Sequence, residues 1–215
     1  YLRGLRNRVQ RGLPMNPPSD SEALRALAPA ALQQYPMGAC DLEFLRHNEN
    51  LVYRVRARAS GASYLLRIHL SRLAGFRGLQ QTAPAIEAEL AWLRALRQDT
   101  GTPLQQPLLN TRGEWVTRLP EAPCTVLTWI DGSVYSQEDE RAEALTYRLG
   151  ALDAVLHAHA QSWAHPEPFV RLSYDAALLQ GALPGLEEGV QLGILAPPDV
   201  SLVCEACAYI LELLG

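Results

Sequence analysis

The chain has no apolar run near the roughly 20 residues that a bilayer-spanning helix needs. It shows no signal-peptide pattern, so a cytoplasmic protein without a membrane partner is expected. Cysteine is scarce: the four residues Cys40, Cys124, Cys204 and Cys207 lie scattered in apolar settings. That excludes a disulfide framework and suits a reducing compartment. No excess of one charge exists either; the formal net charge is −4 and the signs are mixed, which argues against a nucleic-acid partner. Internal repeats and low-complexity tracts are absent. What is present is Leu and Ala in abundance, so helices should dominate. The 215 residues suffice for one domain or a two-lobed unit.

Residues 40–70 organise the rest. Leu42 and Phe44 alternate with Asp41 and Glu43. Leu51, Tyr53 and Val55 alternate with Val52, Arg54 and Arg56, and Tyr64, Leu66 and Ile68 with Leu65, Arg67 and His69. Period-two alternation of this kind predicts three strands. Ser60-Gly61-Ala62-Ser63 is hairpin chemistry, and the turn Asn48-Glu49-Asn50 uses asparagines, which enter left-handed conformations more readily than most residues. Arg67 stands mid-strand among Leu65, Leu66, Ile68 and Leu70. A guanidinium there either reaches water at a strand edge or holds an anion such as a nucleotide phosphate.

The stretch 82–98 has helical spacing in Ile86, Leu93 and Leu96, with Leu90 adjoining. Glu89 falls on the inward face of that helix, while Glu87 falls near Ala91 and Arg94 on the solvated side. A strand cation followed, one helix later, by a core-facing carboxylate is the pattern of kinase-like nucleotide sites.

These stretches carry a resemblance. N-E-N-L-V-Y-R-V, Y-L-L-R-I-H and I-E-A-E-L-A-W-L-R-A-L, followed by T-V-L-T-W-I-D-G and L-G-A-L-D-A-V-L-H-A-H, run in order between about Ala31 and Val170. In that order and spacing they resemble the aminoglycoside phosphotransferase family, which includes choline kinases and type II homoserine kinases. The resemblance implies an α+β, protein-kinase-like fold. A five-stranded antiparallel sheet with one main packed helix would form an N lobe over 19–130. The start of a helical C lobe would follow over 131–215, and 1–18 would be a basic arm and linker. It further implies a nucleotide site. Asn48, Glu49 and Asn50 would form the phosphate-covering turn, Arg67 would hold the α- and β-phosphates, and Glu89 would orient Arg67. Thr128, Trp129, Ile130 and Asp131 would form a hinge whose backbone binds adenine; core packing is the other reading of Trp129. Arginine replaces the family's usual lysine at 67, keeping the charge and adding a bidentate grip. The phosphate turn lacks the usual glycine.

Elsewhere, Ser19 and Glu22 form a capping box for a helix to about Tyr35. Gly101 and Pro103 end the 82–98 helix. Residues 107–119 read as a hairpin around Asn110-Thr111-Arg112-Gly113, and Cys124 to Ile130 as a buried strand. Ser136 and Asp139 cap a long helix to about Trp163 whose buried stripe is Leu145, Leu149, Leu152 and Leu156. His157 and His159, two apart on that helix, point to nearly opposite faces and cannot share a metal, so both are structural. Tyr174 to Leu183 reads as a short helix, 184–198 as an irregular Gly/Pro-rich connection, and Asp199 to Leu214 as a final helix. Cys204 and Cys207 on it read as buried small hydrophobes.

The family's H-G-D-type catalytic loop and its magnesium-binding aspartate motif do not occur in the sequence. The expectation is therefore the N-terminal part of an ATP- or GTP-dependent phosphotransferase acting on a hydroxyl of an alcohol or amino-alcohol. In that reading no catalytic residue and no Mg2+ ligand lies within residues 1–215. The alternative is a non-catalytic nucleotide-binding or regulatory module on a kinase-like scaffold. A third reading makes Arg67 and Glu89 a purely structural ion pair.

Overall fold

The alternation read in residues 40–70 becomes three paired strands in the computed structural model, which describes residues 21–47, 50–70, 80–133 and 139–214. The described residues fall into two compact units. One holds those up to Leu70 together with Leu104–Ser133, and the other those of Ser71–Pro103 and Val134–Gly215.

The first unit begins with helix α1 (Ser21–Leu32). Strands β1 (Cys40–His47), β2 (Asn50–Ala57), β3 (Ser63–His69), β4 (Thr117–Arg118) and β5 (Pro123–Thr128) follow. They form one antiparallel sheet in the order β1-β2-β3-β5-β4. Register decides which side chains share a face. Tyr53 lies opposite Leu66 and Leu66 opposite Val126; Leu51, Ile68 and Cys124 form the next row. These apolar rows meet Leu27, Ala28, Ala31 and Leu32 of α1 in a single buried cluster. Burying such side chains is worth about 1.5–3 kcal/mol each, which explains why a short helix holds against the sheet. The opposite face carries Val52, Arg54, Leu65, Arg67, His69, Thr125 and Leu127, by the same two-residue alternation.

β1 is an edge strand with Leu42, Phe44 and Leu45 exposed, although Phe44 meets the Tyr53 ring edge-on at 5.5 Å. The 107–119 segment keeps its turn but is not a hairpin. Gly113 takes φ +78° and its amide donates to the Asn110 carbonyl. The arm before the turn joins β5 instead, through the Leu108 amide to the Val126 carbonyl at 2.8 Å. Asn110 supplies the reason. Its buried side chain accepts from the amides of Arg112 and Glu114 and donates to Thr117 Oγ1 and Glu114 Oε2. A loop folded around one amide side chain has no need of a ladder.

The second unit is helical: α2 (Ala83–Thr100), α3 (Ala142–Ser162), α4 (Ala176–Gln191) and α5 (Pro197–Leu214). Helix α2 starts after Thr82 with Pro84 in its first turn. It ends at Gly101, whose φ of +69° lets its amide donate to the Arg97 carbonyl. Ile86, Leu90 and Leu96 are buried, Leu93 is half-buried and Glu87 is exposed. Helix α3 begins at Ala142; Ser136 lies outside the described residues, and the Asp139 carboxylate accepts from the Arg141 amide. Its leucine stripe is not buried: Leu145, Leu152 and Leu156 are half-buried, Leu149 is exposed, and His159 alone on α3 is buried. What holds α3 near α2 is polar and aromatic. Trp92 Nε1 donates to His159 Nδ1 at 3.2 Å, and His159 Nε2 lies 2.9 Å from Asp99 Oδ2. The indole can only donate, so Nδ1 is the acceptor and the imidazole proton sits on Nε2, facing the carboxylate. Trp163 stacks on the same ring.

The 174–198 reading is also corrected. A single helix, α4, runs through Pro184, and the Asp175 carboxylate caps it by accepting from the Leu178 amide. Gly189 is a packing residue, since a Cβ there would lie 2.7 Å from Leu195 Cδ1, which folds back onto the helix. Helix α5 then starts two residues early, at Pro197. Val203 and Ile210 on it are exposed, and Cys204 and Cys207 are half-buried rather than buried.

Candidate functional site

Within the first unit, the candidate residues gather on the sheet face that α1 leaves uncovered and at the end of β5. Arg67 occupies the middle of β3, half-buried, with Val52 opposite on β2 and Thr125 opposite on β5. Two positions along, His69 is buried and its Nε2 lies 3.2 Å from Thr125 Oγ1. Asn50 opens β2 opposite His69; its Oδ1 is buried without a hydrogen-bond partner among the described residues. Asn48 and Glu49, expected in the same turn, lie outside the described residues.

Toward the other end of the same face stands Arg54, which no sequence motif singles out. Its guanidinium lies over the Trp129 ring, 4.5 Å from the centroid, and its Nη2 donates to Ser63 Oγ at 3.4 Å. The Trp129 Nε1–H donates in turn to Asp131 Oδ1 at 3.0 Å. Thr128 is tied into the sheet margin: its amide donates to the Gln106 carbonyl, and its hydroxyl accepts from the Gln106 amide. Ile130 and Asp131 are exposed beyond the strand end. Cation, indole and carboxylate thus form a ladder along 129–131. The one signal that could have revealed Arg54 is register: in a β2–β3 hairpin turning at Gly61, Arg54 and Arg67 fall on one face.

Glu89 belongs to the second unit. It sits on α2 between the buried Ala88 and Leu90, with its side chain 25% exposed. Its Oε2 lies 3.6 Å from Arg171 Nη1, which also donates to the Ala85 carbonyl at 3.4 Å. Arg171 therefore pins this carboxylate to the helix's own first turn, a contact that sequence spacing does not foretell. Among the described residues no group of three or more His, Cys, Asp or Glu is placed to hold a metal. No helix among the described residues is long and apolar enough to cross a membrane.

A family model described as "Phosphotransferase enzyme family" matches residues 41–196. The chain belongs to the phosphotransferase enzyme family. The solved structure of a microcompartment-associated aminopropanol kinase is similar to it, with a TM-score of 0.58 and 26% identity over 75% of this chain and 48% of that one. A spectinomycin phosphotransferase solved with ADP and spectinomycin also matches, with a TM-score of 0.38 and 12% identity over 51% of this chain and 30% of that one. The chain therefore spans about half the length of the aminopropanol kinase. No curated protein sequence matches significantly. The five-stranded antiparallel sheet with helices, and the kinase-like α+β class, agree with the expectation drawn from residues 40–130.

Proposed function

We propose that this chain is the nucleotide-binding part of a phosphotransferase that moves a phosphoryl group from ATP or GTP to a hydroxyl of a small alcohol or amino-alcohol. Membership of the phosphotransferase enzyme family over residues 41–196 carries the reading. The arginine-bearing face of the sheet supports it, because a half-buried guanidinium mid-strand suits an anion. Similarity to an aminopropanol kinase favours an amino-alcohol as the acceptor class.

In this reading Arg67 takes the α- and β-phosphates. Phosphoryl transfer depends chiefly on positioning and on neutralising charge, so a fixed cation lowers the barrier without itself exchanging a proton. Arg67 suits that task because it stays charged at any physiological pH and can grip two phosphate oxygens at once. Glu89 is assigned by the resemblance to orient Arg67, and Asn50 with Asn48 and Glu49 to cover the phosphates. The backbone of Thr128, Trp129, Ile130 and Asp131 takes the purine. The same reading assigns 19–130 to an N lobe and 131–215 to part of a C lobe. The magnesium ions and the general base are expected outside the residues described.

Calorimetry of this chain with Mg-ATP and Mg-GTP tests binding, and Arg67→Ala tests the assignment. Affinity for either nucleotide should fall at least about tenfold, the scale of one lost charge-assisted bond pair. In a full-length parent enzyme the same change should lower turnover by orders of magnitude. Unchanged turnover in Arg67→Ala refutes the role given to this side chain.

A further inference from the structure

We propose that Arg54 is a positioning residue for the nucleobase end of the site, an inference that rests on the nucleotide-binding reading above. Arg54 and Arg67 are diagonal neighbours on one face, because Arg54 lies opposite Leu65 and Arg67 opposite Val52. Their Cβ atoms are therefore roughly 7–8 Å apart or less. Two arginines so close would ordinarily serve one anion. Their contacts divide the work instead. The Arg54 guanidinium leans away from the Arg67 row, toward the row of Ser63 and the end of β5, where it covers Trp129 and reaches Ser63 Oγ.

The indole is then held twice, by the cation on its face and by the Asp131 carboxylate on its N–H. The two opposite charges bracket the ring. One face of the indole is occupied, so a base does not stack there. What the ladder fixes is the course of the backbone through Trp129, Ile130 and Asp131, directly after the last paired residue of β5. Backbone N–H and C=O groups are the donors and acceptors that a purine edge can read when side chains are otherwise engaged. Arg54 thus acts through Trp129, and its effect should follow the base of the ligand and not its phosphates.

The test compares ATP, GTP, adenosine and inorganic tripolyphosphate as probes on the whole chain. In Arg54→Met the affinity for ATP, GTP and adenosine should fall about three- to tenfold, the span of an ordinary cation–π contact. Tripolyphosphate affinity should stay level. Arg54→Lys should recover most of the loss, since the charge on the ring is kept. In a Trp129→Leu background, Arg54→Met should have no further effect, because coupled residues are not additive. Equal losses for adenosine and tripolyphosphate, or unchanged adenosine binding, overturn the proposal while leaving nucleotide binding intact. A chain that binds none of the nucleotides overturns the nucleotide reading and this proposal together. Should Arg54→Met fail to fold, Asp131→Ala, which lies beyond the sheet and leaves the indole N–H without its acceptor, must give the same base-dependent loss; its absence overturns the proposal equally.

Discussion

Raising the pH should destabilise the sheet unit, and one thiol should carry most of the effect. Cys124 is wholly buried on β5, and burial pushes its pKa from 9.0 to about 12. Tyr35 is buried at the end of the α1 segment, and burial lifts its phenol from 10.0 to about 12 against the hydrogen bond from Thr117. Both groups are neutral acids that the fold keeps protonated. The unfolded chain ionises first, so the stability they contribute is complete below about pH 9 and is lost as the pH climbs toward 12. By about pH 10.5, linkage gives a loss of about 2 kcal/mol from Cys124 and about 1 kcal/mol from Tyr35, relative to about pH 8. For a chain of this size that is a fall in Tm of roughly 6–12 °C. Lysine adds nothing in the window, because all nineteen Lys/Arg positions are arginine. Burial shifts Cys40 and Tyr53 in the same direction, which steepens the fall. Thermal melts followed by circular dichroism across this range, on the unaltered chain and on Cys124→Val, make the measurement. Valine fills nearly the same volume and cannot ionise, so the variant should lose the Cys124 share, about 2 kcal/mol of the pH-dependent loss by about pH 10.5. An identical pH dependence in both proteins refutes the reasoning.

Three further outcomes follow from contacts described above. Asn110→Ala removes four hydrogen bonds from a buried loop and should cost about 2–4 kcal/mol in urea unfolding. A change within error would show that water replaces the amide. Leu66→Ala, at a fully buried position in the middle of the apolar face, should cost about 2–5 kcal/mol by the same assay, whereas Leu42→Ala on the exposed edge strand should cost well under half of that. His159 should carry its proton on Nε2, visible as the neutral Nε2–H tautomer in nitrogen-15 spectra. His159→Phe should cost about 1–3 kcal/mol by leaving the half-buried Trp92 N–H without its acceptor, while the exposed Asp99 carboxylate turns to water.

The sheet was the most legible part of the molecule, because half-buried strands write their pattern in every second residue. The three strands of 40–70 and the buried run from Cys124 appear where their alternation and apolarity put them. Helix α2 appears likewise, with Ile86 and Leu96 buried and Glu87 in water. The misreadings share a cause: contacts distant in sequence outweighed local signals. Pro184 looked like a terminator, yet a capped start at Asp175 and the folding back of Leu195 onto Gly189 sustain a helix through it. The leucines of α3 promised a buried stripe, but the buried side chain is His159, chosen by Trp92 and Asp99 some sixty residues away. Arg54 was passed over as the polar half of an alternating strand. Nothing near it in sequence announces Trp129, which comes to it only through the antiparallel pairing of β2, β3 and β5.

The bend joining β2 to β3 deserves to be treated as a ruler rather than a spacer. Between Ala57 and Ser63 the backbone closes through the Ala57 amide to the Ala62 carbonyl and the Gly61 amide to the Ala57 carbonyl, with Gly61 at φ +71°. One residue more or fewer would roll β3 over, taking Leu66 and Ile68 out of the cluster they share with α1 and forcing a guanidinium and an imidazole into it. Insertions and tags belong elsewhere on this scaffold, and related chains that keep the same ligand chemistry should hold this interval constant even where its letters drift.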